Sequence, residues 1–141
     1  MKQNVALLVA SLLAILFMTI HLADDIVRGM EKGGVENLLA VPILVTWLYG
    51  VLVLTGRRSG YVINLLGSLL GSYVPVVHFR GAGGVCGGGI AQSSGALFFV
   101  WTLVALGVTA VFSFLLSVRG LWHLRGVQHR TAGRSAGQTR A

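Results

Sequence analysis

Five side chains of types that do specific chemistry fall near one end of the chain's apolar runs: His21, Asp24, Asp25, His78 and Cys86. Imidazole, carboxylate and thiolate are the ligand types of zinc and copper. Two histidines on facing helices are also the axial ligands of a haem iron. His21 closes a long apolar run, and Asp24 and Asp25 follow within one helical turn. Those two are half of the four acidic residues in the chain. A plainer account stands beside this one. Asp24 and Asp25 precede Arg28 by four and three residues, so ordinary helical ion pairs of about 0.2–0.5 kcal/mol each explain them as a solvated helix end. Each histidine is then an interfacial residue bonded to a loop or a carboxylate. An acid–histidine network with a gating or proton role is a third reading. The lone Cys86 excludes an intramolecular disulfide and any thiol–disulfide relay within the chain.

The elements that must position these residues are membrane helices. Of the 141 residues, 55% are hydrophobic and only 11% charged, with a mean hydropathy of +0.80. A soluble domain carries about a quarter charged residues, so the composition is that of a membrane protein. The apolar residues are bunched into four runs, 5–22, 38–55, 61–78 and 96–118. About 20 helical residues cross a hydrocarbon core of roughly 30 Å. The expected fold is therefore all-α, a four-helix transmembrane bundle, with 119–141 as a basic, flexible tail. A signal peptide is a poorer account of the first run, because the small-x-small cleavage pattern is missing and Asp24 follows directly.

Basic residues set the expected orientation. Lys2, Arg57, Arg58, Arg119, Arg125, Arg130, Arg134 and Arg140, eight of the eleven Lys and Arg, fall on one side, while all four acids fall on the other. Both termini are then cytoplasmic in the cell membrane, and the histidine end faces outward. Arg57, Arg58, Arg119 and Arg125 are placed to meet lipid headgroups, where each nearby basic charge gains about 1 kcal/mol on an anionic surface. Nucleic acid is not an expected partner, since no aromatic interleaving accompanies the basic tail.

Helix faces suggest how the spans associate. Ala6, Ala10 and Ala14 share an arc with His21. Asn64, Gly67, Gly71, Pro75 and His78 share one of about 80°. Small residues in line let helices approach closely, and Gly67 to Gly71 is a literal G-x-x-x-G. Hydroxyls at Thr102, Thr109, Ser113 and Ser117 are expected to bond back to their own helix. The glycine-rich stretch around Cys86 lacks the Lys-Ser/Thr ending of a phosphate loop. No span carries Asp, Glu, Lys or Arg in its interior, which speaks against a transporter or channel. With no catalytic motif, the leading expectation is a non-enzymatic accessory or assembly subunit, associated with other membrane subunits or with itself. The alternative is a membrane protein binding zinc, copper or haem through His21 and His78.

Overall fold

The computed structural model describes residues 2–31, 33–80, 90 and 94–138, and these are mainly helical with no strand among them. In chain order the elements are α1 (Lys2–Val27), a 3₁₀ turn (Val35–Leu39), α2 (Ala40–Leu52), α3 (Arg58–Arg80) and α4 (Ala96–Gln138). Three stretches are long and apolar enough to cross a membrane: Asn4–Val27, Arg58–Arg80 and Ala96–Gly126. Leu16, Leu66, Val108, Phe112 and Leu115 are each about half exposed or more. Such an outer surface is wrong for a bundle in water and right for one in lipid.

The second expected span is where the structure departs from expectation. In place of a continuous helix over 38–55, the 3₁₀ turn leads into a 13-residue α2. At 1.5 Å per residue α2 is only about 20 Å long, short of a hydrocarbon core. Pro42 explains the late start. It is the third residue of α2, where a backbone N–H has no intrahelical partner to lose. At the other extreme α4 runs unbroken for 43 residues. It passes Val118, the expected end of the fourth span, and continues as helix into the segment expected to be a flexible tail.

α4 is the element on which α1 and α3 both pack, while α2 lies mainly along α3. The small-residue faces make these contacts. Ala10 and Ala14 are buried in α1, and Ala14 joins Leu106 and Ala110 of α4 in the core. A Cβ on Gly71 would stand 3.1 Å from the Cβ of Ala110, so α3 and α4 approach closely there. Gly67 lies under the indole ring of Trp47 of α2, with no room for a Cβ. Gly67→Ala is accordingly expected to cost about 1–3 kcal/mol, the usual range for overpacking. Detergent unfolding, with Trp47 fluorescence reporting the loosened α2, measures it.

One polar network crosses the core and joins all four helices. Trp47 Nε1 donates to Asn64 Oδ1 at 2.7 Å, and Asn64 Nδ2 donates to Ser11 Oγ at 2.9 Å. Ser11 and Ser113 hydroxyls are 2.7 Å apart. Ser11 also donates to the Leu7 carbonyl at 2.7 Å, so its single proton is spent and Ser113 must be the donor between them. Ser113 thus bonds across helices, whereas Thr102, Thr109 and Ser117 bond back to their own helix as expected.

Candidate metal centre

α1 and α3 run in the same direction and end side by side against the start of α4. Gly29 ends α1 with a positive φ of 71°. Around it Met30 N–H donates to the Asp25 carbonyl and Gly29 N–H to the Ile26 carbonyl, the Schellman arrangement of helix C-termini. His21 and Asp25 therefore sit in the last turns of α1, one turn apart on one face. His78 sits in the last turn of α3.

The two histidine rings meet edge-on with centroids 4.8 Å apart. Asp25 Oδ2 lies 3.3 Å from His78 Nε2 and 3.7 Å from His21 Nε2. One donor atom from each of the three residues can be chosen so that all lie within 4.8 Å of one another. Donors about 2.0–2.1 Å from a common tetrahedral ion stand roughly 3.3 Å apart, so the carboxylate edges already approach that spacing. His21 is 1% exposed and Asp25 5%.

Hydrogen bonding fixes how His78 faces the others. Its Nδ1 is 3.0 Å from the Val74 carbonyl, which can only accept, so Nδ1 carries the proton. In the neutral ring Nε2 then presents a lone pair to the lone pairs of Asp25 Oδ2, and only a proton or a metal ion between them makes that contact favourable. This is the arrangement of metal-binding histidines, whose outer nitrogen is held by a carbonyl while the inner one binds. His21 is in a different position. Both of its ring nitrogens are buried without a hydrogen-bond partner, as is Asp25 Oδ1. Buried polar atoms are otherwise paired almost without exception, and each one left alone costs on the order of 1–3 kcal/mol. Asp25 is also in the last turn of a helix, where the free carbonyls make the field negative and a carboxylate benefits from a cation beside it.

The remaining expected ligands divide. Asp24 does not enter the cluster. Its Oδ2 accepts from Arg28 Nε at 2.9 Å, the helical ion pair that the spacing allows. Cys86 lies outside the described residues. Two contributors have no signal of their own in the sequence. Phe99 of α4 packs against both histidines, with centroid distances of 4.8 Å and 5.7 Å, and walls the site. Arg28 lies over that ring, 5.4 Å from its centroid, and donates to the Ser94 and Gly95 carbonyls at 3.3 and 3.1 Å. It thereby ties the end of α1 to the start of α4.

No protein-family model, curated protein or solved structure matches this chain.

Proposed function

We propose that this chain is a non-enzymatic, multi-pass membrane protein that holds one divalent transition-metal ion, zinc or copper, between His21, Asp25 and His78. The observation that carries the proposal is the convergence of three donor atoms within 4.8 Å, with both nitrogens of a buried histidine left without a hydrogen-bond partner. A shared proton would satisfy the His78–Asp25 contact and leave His21 alone. An ion engages all three. Two imidazoles and one carboxylate suit zinc and Cu(II), and three protein ligands leave a coordination position open for water or a further donor. Haem fits less well. Axial imidazoles stand on opposite faces of a porphyrin, whereas these rings touch edge-on and share Phe99 as a wall.

In this reading the chain crosses the cell membrane four times. The 3₁₀ turn and α2 together reach about 30 Å, enough for one crossing. Both termini lie on the cytoplasmic side, as the distribution of Lys and Arg favours, and the metal centre lies near the opposite surface. An accessory role within a membrane complex is compatible with such a centre. The alanine and glycine seams do not supply the docking face for it, because Ala10, Ala14, Gly67 and Gly71 are spent on the chain's own helices. A transport path gains no support from the interior either, where Asn64, Ser11 and Ser113 are engaged with one another.

The test is elemental analysis and an absorption spectrum of protein purified without chelator. About one equivalent of zinc or copper per chain is expected, falling to background in His21→Ala/His78→Ala. Metal-free protein that also fails to load from added zinc or copper would sink the proposal, and a Soret band would replace the ion with haem.

A further inference from the structure

The end of the bundle opposite the metal centre carries a second site. Asn4 of α1, Tyr61 of α3 and Gly120 of α4 mark one level there. Tyr61 Oη donates to Asn4 Oδ1 at 3.0 Å, and the Tyr61 ring covers Gly120. Beside that level a groove of about 300 Å³ opens between α3 and α4, lined by Leu65, Val118, Leu121, Trp122 and Arg125. Its walls are apolar except at one place, the mouth. Arg125 lies five residues beyond Gly120 along α4, and Arg58 lies three residues before Tyr61 on the antiparallel α3. At 1.5 Å per residue the two arginines stand about 7 Å and 5 Å outward from the shared level, on nearly the same plane. Arg58 and Leu65 are two helical turns apart on one stripe, within about 20° of each other, so Arg58 is on the groove side of α3.

Charge decides what fits. All four acidic residues of the chain are at the other end. Neither Arg58 nor Arg125 has an ion pair among the described residues, and both are exposed. Trp122 is 76% exposed beside them, at the depth where indoles favour the boundary between hydrocarbon and headgroups. The apolar groove between α2 and α3, around Pro42, Trp47 and Gly67, has no such charge and nothing that selects an occupant.

We propose that the groove between α3 and α4 binds one anionic phospholipid, with an acyl chain along Leu65, Val118 and Leu121 and its phosphate between Arg58 and Arg125. Guanidinium is suited to this, since its planar fork donates two parallel hydrogen bonds to phosphate oxygens. The site is independent of the metal centre. It also separates the basic residues of this end into two kinds. Arg119, displaced about 100° around α4 from Val118, does not line the groove, and Arg57 precedes α3. These two meet headgroups only as general surface charge.

The experiment titrates phosphatidylglycerol into the full-length protein in detergent against a phosphatidylcholine background and counts bound lipid by native mass spectrometry. Wild-type protein is expected to retain one phosphatidylglycerol in preference to phosphatidylcholine. Arg58→Gln/Arg125→Gln is expected to weaken that binding roughly thirtyfold, about fivefold for each arginine. Arg57→Gln/Arg119→Gln, which removes the same charge, is expected to change it less than twofold. Equal losses in the two double variants would reduce the site to generic surface charge and overturn the proposal. So would wild-type protein that shows no preference between the two lipids. Arg58→Lys/Arg125→Lys guards against misfolding as the cause of a loss, because it keeps the charge and is expected to stay within about fivefold of wild type.

Discussion

Saturating zinc is expected to stabilise the detergent-solubilised protein by about 2.7 kcal/mol when the free ion stands a hundredfold above its dissociation constant, and Asp25→Asn is expected to abolish that response. The substitution is nearly isosteric, so the rings of His21, His78 and Phe99 keep their places. It removes the one negative charge of the donor set, and an uncharged amide is a poor ligand for zinc. In the metal-free protein the effect has the opposite sign. With its Nδ1 proton committed to Val74, a neutral His78 presents Nε2 as an acceptor. The amide that replaces the carboxylate would donate to it, converting a contact between lone pairs into a hydrogen bond and removing a buried negative charge from a helix C-terminus. Metal-free Asp25→Asn is therefore expected to be at least as stable as wild type while its stability no longer depends on zinc. Thermal unfolding with and without zinc measures both arms. A zinc response that survives in Asp25→Asn would remove the carboxylate from the site.

The second large effect lies in the core. Asn64→Leu is expected to destabilise the bundle by about 2–3 kcal/mol, although leucine is the more lipid-compatible residue. Asn64 links three helices directly and reaches the fourth through Ser11. Hydrogen bonds between membrane helices average about 0.6 kcal/mol and reach about 1.7. Two are lost, and Trp47 Nε1 is left buried without an acceptor, which raises the cost. Trp47→Phe alone removes one of the two bonds and leaves Asn64 Oδ1 without its donor. The double variant Asn64→Leu/Trp47→Phe is then expected to cost less than the sum of the single ones by about 1 kcal/mol, the coupling of the Trp47–Asn64 pair. Additive losses would mean that this bond contributes nothing beyond the packing of each side chain.

Three of the helices and half of the site are legible in the sequence, for a physical reason. Apolar length is a local property, so α1, α3 and α4 are visible as runs. The helical period places Gly67, Gly71, Asn64 and His78 on one face, and depth follows from position in the run. That is why His21 and His78 can be matched as a pair without knowing that their helices are neighbours. Neighbourhood itself is not local. α1 and α3 come together because both pack on α4, and no spacing within either helix encodes that. The division of labour between Asp24 and Asp25 is equally hidden, since both stand at helical distance from Arg28. Arg28 takes Asp24, and the turn of the helix delivers Asp25 to the histidines. For α2 the composition misleads. The run 38–55 is apolar throughout, but Pro42 delays the helix and its regular part is 13 residues.

The dependence on α4 has a consequence in time. α4 is made after α1, α2 and α3, and it supplies Phe99 to the histidines and Ser113 to the core. A nascent chain that has emerged only through α3 holds His21, Asp25 and His78 but lacks the helix on which α1 and α3 both pack. Until α4 is threaded into the bundle, His21 and Ser11 face whatever surrounds them. The two histidines are brought together only after α4 has been made.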